Sequence, residues 1–332
     1  MTLPLSGNPV PGGAGTPRVS VILNIRNGAA TLDATLRSLM DQTFTDWELV
    51  AWDDGSTDGS AAKVAALADP RVHVHVSTAP SHLGAARRQA MAQARGQWLA
   101  FLDQDDVWLA HKLEQQMALD EPGVDLIYCR TLKMFELGGR CDFDHRHEHV
   151  GLPEGDIFME LVERSCFICM SSALLRREAL QRAGELPDWV HVAPDYWLFL
   201  ALSRSGAARA VQEPLCLYRV HAGGMTAASL ARIQDEAIMM LEHWRAQIPA
   251  PLLARRLQVH HTVGAYVQLL TAGQRLQGWR RLLQQGSLPY LLSRPPARAW
   301  RALRRRWRAP QWQHRARQAG LLLPTALDRG AA

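Results

Sequence analysis

The chain has 332 residues, 47% hydrophobic and 21% charged, which is typical of a soluble globular protein with one large domain or one domain plus an extension. Its five cysteines are too few and too scattered for a disulfide framework, and they favour free thiols in a reducing compartment. Cys166 and Cys169 form a CxxC pair around apolar residues, which favours buried thiols over a zinc or redox site. No uninterrupted apolar run reaches the roughly 20 residues of a membrane-spanning helix.

Charge and low-complexity composition are concentrated at the two ends of the sequence. Residues 1–17 are rich in proline and glycine and lack an apolar core, which predicts a disordered leader rather than a signal peptide. The net charge is +5, yet residues 275–317 contain twelve arginines and no aspartate or glutamate. The rest of the chain is therefore acidic, and the basic character belongs to the tail alone.

Strand and helix patterns alternate from residue 19 onward. Val19–Ile25 is a continuous, β-branched apolar run of the kind found in strands buried on both faces. Further strands are predicted at 47–52, Val72–Val76 and 98–102, with helices between them, including one at 82–94. This alternation predicts βαβ units and a mostly parallel open α/β sheet with flanking helices.

Polar residues predict how the first helices begin. Thr31 precedes a helix with Leu32, Leu36 and Leu39 on one face, so its side chain is expected to cap that helix. In the stretch DDGSTDGS, Ser56 or Asp58 is expected to cap the next one.

The stretch WLAFLDQDDVW, residues 98–108, runs from an apolar strand directly into Asp103, Asp105 and Asp106. Buried carboxylates are costly without a cation or hydrogen-bond donors, and oxygen ligands suit Mg²⁺ or Mn²⁺. The alternative is an acidic turn that caps the following helix. Ligands of parallel sheets bind at the carboxyl ends of strands, where polar clusters also follow the first two strands, and this favours a site. Neither GxGxxG after the first strand nor a P-loop motif is present.

Several stretches together carry a family resemblance. They are VSVILNIRNG, TLDATLRSLMDQTFTDWELVAWDDGSTDGS, LGAARRQAMAQARGQWLAFLDQDDVW, CMSSALLRREALQRAGEL, APDYWLFLALSRSG and EPLCLYRVHAGGMT. In this order, over residues 18–226, they resemble family 2 glycosyltransferases with the A-type, nucleotide-sugar-binding fold. The resemblance implies an inverting, metal-dependent transfer of a sugar from a nucleotide diphosphate donor to an acceptor hydroxyl, in bacterial surface polysaccharide or glycolipid synthesis.

The resemblance also implies roles for individual residues. Asp54 matches the acid that contacts the base or ribose, and Asp195 in PDYW matches the general base. Asp103 and Asp105 match the DxD motif, with Asp105 the first choice as metal ligand. The remaining expected donor-site residues are Asn24, Arg26, Asn27, Arg87, Asp103 and Arg219, and the remaining expected ligands of Mg²⁺ or Mn²⁺ are Asp106 and His221.

The sequence departs from the family pattern in three places. Asn24 stands where the family usually has proline, Arg88 and Ala90 replace asparagine and glycine, and Pro194 replaces the glutamate before the base. None of these changes removes a catalytic group, although Pro194 bears on how Asp195 is oriented.

Other interpretations remain open at this stage. Asp195 could cap a helix, Arg87 could lie on a solvated helix face, and His221 could be a loop histidine. The protein as a whole could be a nucleotidyltransferase on a similar sheet, against which PDYW and YRVH argue, or a nucleotide-sugar-binding protein without turnover. His145, His147 and His149 are interpreted as an exposed acceptor-side loop rather than a metal cluster.

The resemblance and the tail together predict the domain organisation. We expect a catalytic domain at 18–228 and a helical, arginine-rich extension at 229–332, with helices in LARIQDEAIMMLEHW and LLARRLQVHHTVGAYVQLL. Trp300, Leu303 and Trp307 share one helical face opposite arginines, which fits either an anionic membrane surface or an ordinary docking helix. The expected partners are a nucleotide-sugar donor and a saccharide or lipid-linked acceptor, with no nucleic acid. The expected location is cytoplasmic, peripheral at the inner face of the plasma membrane.

Overall fold

The computed structural model describes residues 15–137, 140–144, 150–221, 229–270 and 274–284. The chain divides into two compact units, the first extending to Val220 and the second beginning at His221. The predicted leader up to residue 14, the histidines 145, 147 and 149, and the tail residues Trp300, Leu303 and Trp307 lie outside the described residues.

The first unit alternates strands and helices from its beginning. Its strands are β1 (Val19–Ile25), β2 (Trp47–Asp53), β3 (Val72–Val76), β4 (Trp98–Phe101), β5 (Val107–Trp108), β6 (Val124–Leu137), β7 (Arg140–Asp144), β8 (Leu174–Arg176) and β9 (Ala207–Val220). Its helices are α1 (Leu32–Met40), α2 (Ser60–Ala65), α3 (Leu83–Gln93), α4 (Lys112–Met117), α5 (Phe158–Arg164), α6 (Arg177–Ala183) and α7 (Pro194–Leu202), with a 3₁₀ turn at Met170–Ser172.

All the described strands belong to one sheet, in the order β3-β2-β1-β4-β8-β6-β9-β5, with β7 on β6. The strands β3, β2, β1 and β4 are parallel, as the βαβ pattern predicts. In the second half β8 is antiparallel to both β4 and β6, and β9 is parallel to β6 but antiparallel to β5. The predicted open α/β fold is confirmed, with a sheet that becomes mixed after β4.

The core is centred on β1, which pairs with β2 on one side and β4 on the other. Val19, Val21 and Leu23 are each 0% exposed, and Ile22 on the opposite face is 1% exposed. Burial of such a side chain stabilises the fold by roughly 1.5–3 kcal/mol. Coverage of both faces explains why this strand is mostly apolar, with Ser20 and Asn24 as its polar residues.

The helix starts differ partly from the predictions. Thr31 occupies the position before α1, but its hydroxyl donates to the carbonyl of Gln104 (3.0 Å) instead of capping α1, so the predicted cap is wrong. The capping position of α2 is Gly59 and not Ser56 or Asp58, although Asp58 accepts the amide of Ser60 in the first turn (3.1 Å). The other oxygen of Asp58 accepts the amide of Ala29 (2.9 Å). These side chains therefore join neighbouring loops at the carboxyl edge of the sheet, a role that local sequence patterns do not reveal.

The second unit is helical where it is described. It contains α8 (Leu230–His243), a 3₁₀ turn at Arg245–Gln247, α9 (Ala250–Leu270) and α10 (Arg275–Gln284). The two helices predicted after Leu230 are present as α8 and α9. No described helix combines the length and the hydropathy needed to cross a membrane.

Candidate active site

The residues from Asp103 to Asp106, here called the acid turn, follow β4 at the carboxyl edge of the sheet. The amide of Asp106 donates to the carbonyl of Asp103 (3.1 Å), which closes the turn. Asp103 and Asp105 are partly exposed, whereas Asp106 is 0% exposed. The three carboxylates of the sequence motif therefore occupy two different environments.

Asp106 holds the acid turn from inside the protein. Its Oδ1 accepts the backbone amide of Arg219 on β9 (2.9 Å), and its Oδ2 accepts the hydroxyl of Ser171 (2.5 Å). Burial, together with the charges of neighbouring acids, raises the pKa of Asp106 well above its usual value. The Arg219 side chain also donates from Nε to the carbonyl of Asp105 (2.7 Å). Arg219 of β9 therefore makes two hydrogen bonds to the acid turn.

Ser171 is a second support that sequence reasoning did not identify. It is fully buried, its hydroxyl accepts the amide of Asp103 (3.0 Å), and its carbonyl accepts the indole N–H of Trp108 (2.7 Å). It also donates to Asp106, so one side chain contacts both ends of the acid turn. More than sixty residues separate Ser171 from the acid turn, so only tertiary structure could reveal the pairing.

Gln104, between the two DxD acids, joins the acid turn to the loop after β1. Its Oε1 accepts the amide of Arg26 (2.8 Å), and its Nε2 donates to the carbonyl of Arg26 (3.2 Å). A Cβ on Gly28 would displace the end of the Gln104 side chain, so the absence of a side chain at Gly28 leaves room for this contact. The carboxyl ends of β1 and β4 thus meet, as predicted.

The loops after β1 and β2 are also cross-linked. Asn27 has φ 51°, donates its amide to Ser56 Oγ (2.9 Å), and accepts the amide of Thr57 on its side-chain oxygen (2.9 Å). Asparagine tolerates this left-handed conformation better than most residues. Asn27 therefore organises the loop through its backbone and its side chain together.

Asp54 is buried at the end of β2. Both its oxygens are bound by Ser81, through the amide (2.8 Å) and the hydroxyl (2.9 Å). Arg26 Nη1 lies 3.8 Å from Asp54 Oδ2 and donates to the carbonyl of Ser81 (3.3 Å).

On the neighbouring strand β1, the Nδ2 of Asn24 is buried and has no hydrogen-bond acceptor among the described residues. A buried donor of this kind costs about 1–3 kcal/mol unless a ligand accepts its hydrogen bond.

Arg87 on α3 is only 3% exposed, which rules out a solvated helix face. Its Nη2 donates to Asp103 Oδ1 at 2.6 Å. Burial raises the pKa of Asp195, and the positive charge of Arg87 acts in the opposite direction. Arg87 thus interacts with both the acid turn and the predicted base.

The amino end of α3 is docked on the segment that precedes α7. The amide of Gly84 donates to the carbonyl of His191 (3.0 Å), and a Cβ at Gly84 would overlap the Val190 carbonyl. The imidazoles of His82 and His191 stack with centroids 3.9 Å apart. Only a glycine permits this approach, which brings Arg87 and the start of α7 to the same region.

Arg88, which replaces the family asparagine, reinforces that docking. It donates to the carbonyl of Leu186 (2.8 Å) and pairs with Asp188 (2.7 Å). The departure from the family pattern therefore stabilises the same segment.

Asp195 lies in the first turn of α7 and not at its capping position, which belongs to Ala193. Pro194 is favourable at the first helical position because its fixed φ suits a helix start. It therefore does not disturb the helical backbone that carries Asp195. Asp195 is partly exposed, and Cys166 Sγ lies 3.8 Å from its Oδ2. The helix-cap interpretation is thus wrong, and the carboxylate is left at the edge of the site.

Cys129, Cys166, Cys169 and Cys216 are free thiols, as predicted, although Cys166 and Cys169 are only partly buried. Cys169 and Cys216 lie with Asp106 in a group whose sulfur and oxygen atoms are all within 4.8 Å of one another. Because both oxygens of Asp106 accept internal hydrogen bonds, this group fits a buried polar network better than a metal site. His221, an expected metal ligand, is the first residue of the second unit, and its role stays a prediction.

Comparisons with known proteins identify relatives of this chain. The model of glycosyl transferase family 2 matches residues 20–184. A putative teichuronic acid biosynthesis glycosyltransferase of Bacillus subtilis, TuaG, is 38% identical over 208 residues, which cover 61% of this chain and 79% of TuaG. The Escherichia coli enzyme WfgD, named a UDP-Glc:α-D-GlcNAc-diphosphoundecaprenol β-1,3-glucosyltransferase, is 37% identical over 30% of this chain. That match spans only 40% of the length of WfgD.

Solved structures share the fold. Staphylococcus aureus TarS in complex with UDP-GlcNAc has a TM-score of 0.58 at 17% identity, covering 81% of this chain and 80% of that one. A Pyrobaculum calidifontis mannosyltransferase in complex with GDP-Man and Mn²⁺ has a TM-score of 0.55 at 19% identity, covering 87% and 80%. The family match and the extensive similarity to TuaG show that the chain belongs to glycosyl transferase family 2.

Proposed function

We propose that this protein transfers a sugar from a nucleotide diphosphate donor to an acceptor hydroxyl, with inversion, in the synthesis of a bacterial surface polysaccharide or glycolipid. Family membership and the polysaccharide-related names of its relatives support the substrate class. The observation that carries the proposal is the convergence of the acid turn, Arg87 and Asp195. We assign this reaction to a catalytic domain at residues 18–228. We place it at the inner face of the membrane because WfgD is named for a lipid-linked acceptor.

The donor nucleotide is proposed to bind at the ends of β1 and β2. The buried, unsatisfied amide of Asn24 offers a hydrogen bond to a base or ribose oxygen. Ser81 orients Asp54 there, and Arg26 and Asn27 shape the loop beside it. A nucleotide that accepts from Asn24 would recover the cost of burying that donor.

Asp103 and Asp105 are proposed to hold a divalent ion, Mg²⁺ or Mn²⁺. Their carboxylates are partly exposed oxygen donors, which suit such ions, whereas Asp106 is committed to supporting the acid turn. Bound there, the ion would neutralise charge on the departing diphosphate. Arg219 and Ser171 keep the two ligands in place through the acid turn, and Arg87 fixes Asp103 directly.

Asp195 is the proposed general base. It accepts the proton of the acceptor hydroxyl as that oxygen bonds to the anomeric carbon. The bond from that carbon to the diphosphate breaks, and its electron pair leaves with the nucleoside diphosphate. Attack from the face opposite the leaving group inverts the anomeric centre. The raised pKa of Asp195 makes it a stronger base than an ordinary aspartate, provided that it is ionised.

The product of the reaction tests this proposal. Purified protein is incubated with a panel of nucleotide sugars, with Mg²⁺ or Mn²⁺ and with saccharide acceptors, and the released nucleotide is identified. We expect a nucleoside diphosphate in stoichiometric amounts with new glycoside, and weaker metal-dependent donor binding in Asp105→Ala. Release of pyrophosphate would instead identify a nucleotidyltransferase, and donor binding without any release would identify a binding protein.

A further inference from the structure

Helix α10 in the second unit presents its apolar side chains outward. Leu276, Trp279 and Leu283 are 86%, 50% and 67% exposed. Their spacing of three and four residues places them along one helical face, here called the α10 ridge. Arg280 lies beside the ridge and is also exposed.

The opposite face of α10 is fixed against the other helices. Gly278 is buried, and a Cβ there would come within 2.7 Å of the Ala265 carbonyl of α9, so only glycine allows this approach. Arg281 lies against Gly264 of α9 and pairs with Asp235 of α8 at 2.7 Å, with only 15% of its side chain exposed. The helix thus buries an arginine and a glycine and cannot roll to bury the α10 ridge without losing both contacts.

The positive charge of α10 and of the residues after it favours a negatively charged partner for the α10 ridge. Residues 275–284 contain three arginines and no acidic residue, and residues 285–317 add nine more arginines and again no acid. Neither that following segment nor the same face of a second copy could supply opposite charge, and either would bring arginines together. An anionic lipid surface supplies negative charge and accepts leucine and tryptophan at its interface.

We propose that the α10 ridge docks on an anionic bilayer, with α10 lying in the interface plane, Trp279 at the headgroup level and Arg280 toward the lipid phosphates. This contact does not depend on the proposed sugar transfer and is measured without it.

The test is co-sedimentation of the full-length protein with vesicles of phosphatidylglycerol and phosphatidylcholine, or of phosphatidylcholine alone, over a range of salt. The wild type is expected to bind the anionic vesicles, less so at high salt. The variant Leu276→Ala/Trp279→Ala/Leu283→Ala keeps strong helix formers and should bind more than about tenfold more weakly. Arg280→Gln should weaken binding about fivefold, since a basic residue near such a surface contributes about 1 kcal/mol.

Two controls accompany the triple variant. Val76→Ala/Met159→Ala removes two exposed apolar side chains from the first unit and should bind like the wild type. Trp279→Phe keeps an aromatic at the ridge and should retain binding. The arginines beyond residue 284 are present in every variant, so a selective loss is attributable to the ridge.

Several outcomes would overturn the proposal. Equal vesicle binding by the triple variant and the wild type would show that the ridge does not meet lipid, and equal binding to both vesicle types would refute the anionic surface. If the triple variant binds vesicles like the wild type but has a smaller mass in light scattering, the partner that covers the α10 ridge is a second copy of the protein. If the triple variant has a lower Tm than the wild type and binds vesicles equally well, the residues that cover the α10 ridge belong to the chain itself.

Discussion

Glu48, which is buried, and Asp195, which is partly exposed, are carboxylates of the first unit whose pKa values are shifted in opposite directions. Glu48, near the amino end of β2, accepts the Ser20 hydroxyl (2.6 Å) and the amide and Nε of Arg95 (2.8 and 2.7 Å). Burial alone would raise the pKa of Glu48, but these donors lower it below its usual value. At the carboxyl edge, burial raises the pKa of Asp195, and Arg87 only partly offsets this.

The difference separates an acid whose charge is satisfied by the protein from one whose charge is not, and the second is the proposed base. Glu48 has its charge satisfied by fixed donors and serves to hold β1, β2 and the residues before β4 together. Asp195 is incompletely compensated, and such an acid has basicity available for a substrate proton. Four substitutions test this contrast, in order of decreasing effect on sugar transfer.

Asp195→Asn should lower transfer by about 10²- to 10⁴-fold while donor binding persists, because the amide cannot accept the acceptor proton. In the wild type, transfer should fall with decreasing pH as Asp195 becomes protonated, beginning at a higher pH than for an ordinary aspartate because its pKa is raised. Initial rates and donor titration calorimetry measure both effects. Asp188→Asn, an exposed acid just before α7, is the matched control. If Asp195→Asn transfers sugar at the rate of the wild type, Asp195 is not the general base.

Arg87→Gln should lower transfer about tenfold and move the acidic limb of the pH–rate profile to higher pH. The reason is that the Arg87 charge lowers the pKa of Asp195, so its removal lets that pKa rise further. Arg88→Gln, one residue along α3, contacts Leu186 and Asp188 instead and should leave the limb in place. An unmoved limb in Arg87→Gln would disprove the coupling.

Ser171→Ala should raise the KM for the donor several-fold without moving the acidic limb. It removes the hydroxyl that contacts Asp103 and Asp106, and loss of a buried hydrogen bond costs about 1–3 kcal/mol. The neighbouring buried Ser172, which donates to the Cys169 carbonyl, provides the control variant Ser172→Ala. If both variants raise the KM equally, the effect is general destabilisation and not loosening of the acid turn.

Glu48→Gln should leave the transfer rate at 25 °C unchanged but lower stability at neutral pH by roughly 1–3 kcal/mol. Because the pKa of Glu48 is lowered in the folded state, its contribution is present above the unfolded pKa and disappears as pH falls. Thermal unfolding of both proteins across pH should therefore converge in acid. A constant difference at every pH would show that the charge of Glu48 does not stabilise the fold.

Much of the first half of the fold follows from local pattern. The apolar run of β1, the spacing of β2 to β4 and the helix between β3 and β4 were all predictable, because parallel strands buried on both faces leave a continuous signal. The antiparallel insertion of β8 was not, since a three-residue strand carries almost no periodicity. Pairing across more than seventy residues is decided by the available sheet edge rather than by neighbouring sequence.

The candidate site divides in the same way. The acids that follow β2 and β4, namely Asp54, Asp103 and Asp105, are locally conspicuous, whereas Asp195 at the start of α7 was predicted only from the family resemblance. The sequence ranked Asp105 above Asp106 as a metal ligand, but it did not reveal that Asp106 is fully buried while Asp105 is partly exposed. Nor did it reveal Ser171, Ser81 or Gln104, ordinary polar residues whose importance comes from what they contact.

What the sequence determined by itself was the order of strands and helices, the family and the chemical types gathered at one edge. Those features depend on residue type and short-range spacing, which the chain carries along its length. Only the tertiary structure decided which acid supports the acid turn, which arginine lowers the pKa of Asp195, and which face of α10 is exposed. Burial and charge compensation arise from residues distant in the chain, so they exist only once the sheet and helices have packed.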